Sequence, residues 1–161
     1  MKHFSFVVCR TLAVGVVVSA LGVSALAQGN SSVGTWNLNI AESKYSPGPA
    51  PKSSTLKIEA DGMGVNSTVD TVLMDGSTQH ITYGGAYDGM DVAAMGSPAF
   101  DMVSRRRISA TTTEASYKKA GKVVTVNTVV VSADGKTLTN TAKGTDAEGA
   151  MVNNLQVYMK Q

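Results

Sequence analysis

Four Asp-Gly pairs punctuate this chain, at Asp61-Gly62, Asp75-Gly76, Asp88-Gly89 and Asp134-Gly135, with Thr/Val-rich runs between them. Asp-Gly supplies the positive φ angles that two-residue hairpins require. Ala120-Gly121-Lys122 and the segment 146–149 read as two further turns. A chain divided this often leaves no room for long helices. Within the runs the side chains alternate. Across residues 54–60, Leu56, Ile58 and Ala60 share one face while Thr55, Lys57 and Glu59 share the other. Across 136–144, Leu138 and Ala142 oppose Thr137, Thr139, Thr141 and Lys143. Alternation of this kind gives each strand one wet and one buried face, as antiparallel sheets have.

The spacing predicts nine strands, at residues 33–40, 54–60, 65–73, 78–87, 101–108, 112–119, 122–132, 136–144 and 150–160. Short strands joined mostly by hairpins must hide two sheet edges. Closure into a single antiparallel up-and-down β-barrel of about 8–10 strands hides both, whereas a Greek-key sandwich needs longer crossings. The apolar run 123–131, flanked by Lys118, Lys119 and Lys122, reads as a central strand with charged gatekeepers. Two connections are longer. Ser46-Pro47-Gly48-Pro49-Ala50-Pro51 is stiff and extended. Residues 89–99, with Met90, Val92, Met95 and Pro98, read as an apolar loop that plugs one barrel end or serves as a lid.

Residues 1–27 follow a different pattern. Lys2 and Arg10 precede an apolar stretch over 11–26, and Ala25-Leu26-Ala27 offers small residues to a signal peptidase. A secretory signal peptide cleaved before Gln28 is expected, with the barrel domain over 28–161 and residence in the periplasm or outside the cell. The stretch is shorter than the roughly 20 apolar residues that cross a bilayer, so no stable membrane insertion is expected after cleavage. Two of the 14 basic residues leave with the signal, and the remaining 12 balance 12 acidic ones. A neutral surface provides no electrostatic pull toward nucleic acid. Cys9 leaves as well, so the mature chain has no disulfide, thiolate nucleophile or cysteine ligand for a metal.

Few residues beyond 27 carry reactive chemistry. His80 is the only histidine there, and it alternates away from Ile81, Tyr83 and Tyr87, which points it to water. One histidine builds neither a catalytic triad nor a metal site, so the reading is a non-enzyme without cofactor or metal. Asp88 and Asp91 are the closest carboxylates outside a hairpin turn, and two ligands are too few for calcium. Arg105-Arg106-Arg107 lies on a strand, where neighbours face opposite ways. Taking Met102 and Ile108 as inward places Arg106 inside, with Arg105 and Arg107 in solvent. A bulge or strand end would instead put all three at the surface.

The chain from 33 opens Val33-Gly34-Thr35-Trp36-Asn37-Leu38 and closes Leu155-Gln156-Val157-Tyr158-Met159-Lys160. A Gly-x-Trp on the first strand and an aromatic-bearing last strand resemble the lipocalin and fatty-acid-binding-protein superfamily, in particular exported bacterial lipocalin-like proteins. The resemblance implies that Trp36 plugs the barrel floor beside the final strand. Fatty-acid-binding proteins grip a carboxylate with an Arg-x-Tyr pair near the C-terminus. The matching segment here is Gln156-Val157-Tyr158, and glutamine offers hydrogen bonds without charge. The expectation is therefore a small apolar or weakly polar ligand between walls from Leu38, Ile58, Tyr83, Tyr87 and Tyr158, with polar contacts from Gln156 and Arg106. The alternative is a filled barrel acting as a ligand-free structural or interaction module of the cell envelope, which the thin core favours. Val, Leu, Ile and Phe number only 24 beyond residue 27, and packing alone would consume them.

Overall fold

The computed structural model describes residues 30–146 and 149–161. The segment read as a signal peptide lies outside the described residues. These form ten strands: β1 (Gly34–Leu38), β2 (Ser53–Asp61), β3 (Gly64–Val72), β4 (Thr78–Tyr83), β5 (Val92–Met95), β6 (Met102–Arg107), β7 (Thr112–Lys119), β8 (Lys122–Val131), β9 (Thr137–Thr145) and β10 (Met151–Lys160). A single turn of 3-10 helix, Ile40–Glu42, follows β1. Each strand pairs antiparallel with the next, and β10 returns to β1 with Leu38 opposite Tyr158, so the sheet closes into a barrel. The expected all-β up-and-down barrel is the observed one, with one strand more than the sequence pattern counted.

The extra strand is β5. It runs through the segment expected to be a plug or lid, which is instead part of the wall. Its alternation covers four residues, two of them alanine, and is too short and too weakly apolar to stand out. It pairs with each neighbour through only two residue pairs, Thr82–Met95 and Tyr83–Ala94 on one side, Val92–Val103 and Ala93–Met102 on the other. Gly96 follows with φ +83°, and any side chain there would strike the backbone carbonyl of His80. β4 in turn stops at Tyr83 and not at 87. The backbone after it passes so close to Gly64 that a Cβ on that residue would overlap the Gly85 carbonyl, and Val65 N donates to Gly85 O at 3.1 Å.

The turns use two chemistries. Ala120 and Gly121 join β7 to β8 with φ of 48° and 77°, a two-residue connection with both central residues left-handed. At Asp75 and Asp134 the carboxylate holds the turn. Asp75 Oδ1 accepts from Ser77 N at 2.8 Å and Ser77 Oγ at 2.6 Å, and Asp134 Oδ1 accepts from Lys136 N at 3.1 Å and from Ser132 Oγ. Asp88-Gly89, at the start of the longer connection read from the sequence, lies in the link between β4 and β5 and makes no two-residue hairpin.

Two apolar clusters occupy the interior. Trp36, Ile58, Val65, Val131, Leu138 and Tyr158 form the first, and Trp36 is fully buried with its Nε1 donating to Ser32 O at 2.8 Å. Val103, Ala115 and Tyr117, with Tyr83 and Phe100 against them, form the second cluster on the β4–β7 side.

Candidate functional site

A cavity of about 360 Å³ lies between the two clusters, bounded by both. Its walls differ. β2, β3 and β4 contribute Leu56, Ile58, Val65, Val69 and Ile81, whereas β8, β9 and β10 contribute Asn127, Asn140, Asn154 and Gln156. Strand register explains the second wall, because inward residues of adjacent strands line up in rows. One row runs Arg105, Ala115, Asn127, Ala142, Asn154. The row below runs Thr113, Val129, Asn140, Gln156.

The structure reverses the expected orientation of the arginine run. Val103 is fully buried and Arg105 nearly so, and both face inward. Arg106 faces solvent, where Nη2 meets Glu114 Oε1 at 2.9 Å, so it is no part of the cavity. Arg107 stacks over the Tyr87 ring at 4.1 Å. Met102 and Val103 are adjacent apolar residues of opposite parity, and pairing of Val103 with Tyr117 selects the register the sequence left open. The Arg105 guanidinium reaches across the lumen: Nη1 donates to Val65 O at 3.1 Å, and Nη2 to Ser67 Oγ at 3.2 Å and Tyr83 O at 3.3 Å. It also lies 4.8 Å from the Tyr83 ring centre. Among the described residues no carboxylate pairs with it.

The other expected ligand contacts separate by place. Tyr83, Tyr87, Gln156, Tyr158 and Ile58 all line the cavity. Leu38 does not; it packs against the first cluster. Tyr83 belongs to an aromatic trio. Its hydroxyl lies 3.1 Å from that of Tyr117, and Phe100 meets Tyr117 edge-on at 4.7 Å between ring centres. Tyr117 is enclosed, and burial pushes its phenol well above the ordinary range. Burial pushes Tyr158 up in the same way. Tyr87 accepts at its hydroxyl from Asn30 Nδ2 at 2.7 Å. Gln156 bridges two neighbours, accepting from Asn140 Nδ2 at 2.7 Å and donating to Tyr45 OH at 3.2 Å. Trp36 is buried in the cluster whose Ile58, Val65, Leu138 and Tyr158 bound the cavity and does not line it, with Lys160 Nζ 5.0 Å from its ring centre.

Tyr117, Phe100, Arg105, Asn127 and Asn140 line the cavity without having been singled out in the sequence as ligand contacts. Asn127 sits inside the valine-rich run, whose two faces are both apolar, and it is strand pairing in the structure that turns it inward, opposite Val126 and Thr128. A second space of about 540 Å³ lies between Tyr45 to Pro51 and the β3–β4 hairpin residues Leu73 and Met74. It shares Val69, Ile81, Gln156 and Tyr158 as wall residues with the first cavity, so these four side chains separate the lumen from the space beneath the proline segment.

The remaining candidates lie outside. His80 Nδ1 meets Asp70 Oδ1 at 2.6 Å on the outer wall, and both side chains are more than half exposed. Asp91 pairs with Lys118 at 2.7 Å, while Asp88 accepts from Met90 N at 2.9 Å, so the two carboxylates are engaged separately. Among the described residues, no group of three or more His, Cys, Asp or Glu is placed to hold a metal ion. The site therefore offers shape, apolar surface and a short series of hydrogen-bonding groups. No family model matches the sequence, and no curated protein matches it either.

Proposed function

We propose that this chain is an exported, lipocalin-like binding protein that holds a small, largely apolar molecule inside its barrel and releases it unchanged. The observation that carries this reading is the 360 Å³ cavity, walled on one side by five aliphatic residues and crossed by a few fixed polar groups. Ligand pockets combine these features: apolar surface supplies affinity, and a small number of placed polar atoms supplies orientation. A second space beneath Pro49, Ala50 and Pro51, sharing four wall residues with the cavity, supports exchange by small movements of those side chains. The outward faces carry Lys57, Glu59, Asp70, His80, Arg106 and Glu114, which suits a barrel surrounded by water and not by lipid tails. The signal-like residues 1–27 support export.

The test is native mass spectrometry of protein purified from an exporting host, with extraction of bound small molecules. The proposal expects an N-terminus at Gln28 and saturable one-to-one binding of the neutral fluorophore N-phenyl-1-naphthylamine. Folded protein that neither carries an extractable small molecule nor binds this probe overturns it in favour of a ligand-free module of the cell envelope.

A further inference from the structure

The outer wall carries a grouping that the cavity does not use. Asp70, His80 and Met95 lie on the consecutive strands β3, β4 and β5. Asp70 pairs with His80 across the sheet, and Thr82 pairs with Met95. His80 and Met95 are therefore diagonal neighbours, two residues apart along the strand and one strand across. Such neighbours lie about 7–8 Å apart, within reach of long side chains. The backbone enforces the approach, because Gly96 packs so tightly on β4 that any Cβ there would meet the His80 carbonyl. Both side chains stay accessible: that of His80 is 66% exposed, and Met95 is 70% exposed.

Each of the two offers a lone pair to the outside. Asp70 Oδ1 lies 2.6 Å from His80 Nδ1. A carboxylate only accepts, so Nδ1 carries the proton, and the neutral ring keeps its lone pair on Nε2. A carboxylate on one ring nitrogen is also what orients a metal-binding histidine and raises its basicity. As an ion pair, groups this exposed add little to stability. Met95 in turn places a polarizable thioether in water, where it fills no part of the core.

The donor set selects the ion. Thioether sulfur is a soft donor of the kind copper(I) selects, whereas calcium and magnesium take oxygen. Zinc is held by four ligands. Among the described residues, no three His, Cys, Asp or Glu come together to supply them. A singly charged ion with a filled d shell is satisfied by two.

We propose that His80 Nε2 and Met95 Sδ bind one soft monovalent cation of the copper(I) type on the outer wall, with Asp70 fixing the imidazole. This site does not depend on what the barrel holds. The sequence alone gives His80 no second ligand, because residues 92–95 read there as loop, and only β5 brings Met95 beside it.

The test titrates silver(I) into protein beginning at Gln28, which lacks His3 and Cys9, in chloride-free buffer. Silver(I) matches copper(I) in charge and filled d shell and keeps its oxidation state. One equivalent is expected to shift the NMR signals of the Met95 methyl and the His80 ring together, while Met63, 93% exposed, stays in place. His80→Gln and Met95→Leu, both at exposed positions, each abolish the one-to-one step, and Asp70→Asn weakens it about tenfold. Zinc(II) leaves the Met95 methyl unshifted. Wild-type His80 and Met95 signals that do not move with silver overturn the proposal, as does binding that survives in both variants. Equal shifts at Met63 and Met95 reduce the effect to unspecific thioether binding and overturn it also. Unchanged affinity in Asp70→Asn overturns the part given to the carboxylate.

Discussion

Arg105 lies 4.8 Å from the ring centre of Tyr83 and at the same time donates to the Tyr83 backbone carbonyl at 3.3 Å. One residue of β4 thus fixes the guanidinium through both its ring face and its main chain, while Ser67 and Val65 of β3 hold it from the side. The cation is a cross-brace between β6 and the β3–β4 pair, and it spans the weakly paired β5.

Replacing Arg105 by Ala removes three charge-assisted hydrogen bonds and leaves their acceptors facing the lumen, but it also relieves a buried charge. The opposing terms leave a net destabilisation of about 2 kcal/mol. Urea unfolding of Arg105→Ala against wild type measures it, and a variant as stable as wild type would show that the brace contributes nothing.

β5 is the seam of the barrel, because two residue pairs on each side hold it. Amide exchange is expected to be fastest among the strands at residues 92–95, with β8 and β9 slowest. Gly96→Ala places a side chain at φ +83° against the His80 carbonyl. Backbone strain of that kind costs about 1–3 kcal/mol, so Ala there should lower stability by at least about 1 kcal/mol and accelerate exchange in β4 and β5 selectively.

Burial raises the phenols of Tyr117 and Tyr158 above the ordinary tyrosine range. In the unfolded chain both ionise near the ordinary value, so above it the unfolded state releases protons that the native state retains. The contribution is therefore complete below about pH 10 and declines as pH rises beyond it. Absorbance at the tyrosinate band should show these two phenols titrating only with unfolding. Tyr117→Phe should flatten the alkaline loss of stability. Reversible titration of all five tyrosines in the folded protein would contradict this.

Asp75 and Asp134 are held below the ordinary carboxylate range, first by hydrogen bonds from the side chains of Ser77 and Ser132, then by the backbone N–H of Ser77 and Lys136. A lowered pKa stabilises the fold above the unfolded value and loses that contribution as pH falls through the folded one. Both groups are fully exposed, so the consequence is local. NMR titration should find both among the most acidic carboxylates of the chain, and Ser77→Ala should return Asp75 toward the ordinary range without moving Asp134.

The barrel was legible because its determinants are local. Alternation at 54–60 and 136–144 needs only the pleat, and glycine at a left-handed turn needs only backbone sterics. Gly34-Thr35-Trp36 likewise marked a core position, since a lone tryptophan between strand residues has little alternative to burial. β5 escaped notice because four residues with two alanines carry too little pattern. Arg105 and Arg106 could not be told apart, because Met102 and Val103 give both parities an apolar anchor. Strand pairing resolved that choice, through contacts between residues far apart in sequence.

From the sequence alone came the strand series, the turns, the closed antiparallel sheet and the inward faces of the regular strands. Tertiary structure decided which arginine enters the lumen, that the segment 92–95 is wall, and that Arg105, Ala115, Asn127, Ala142 and Asn154 form one row. The reason is geometric. A side chain's face follows from its immediate neighbours, but its place along a row depends on register with strands whose residues lie ten or more positions away.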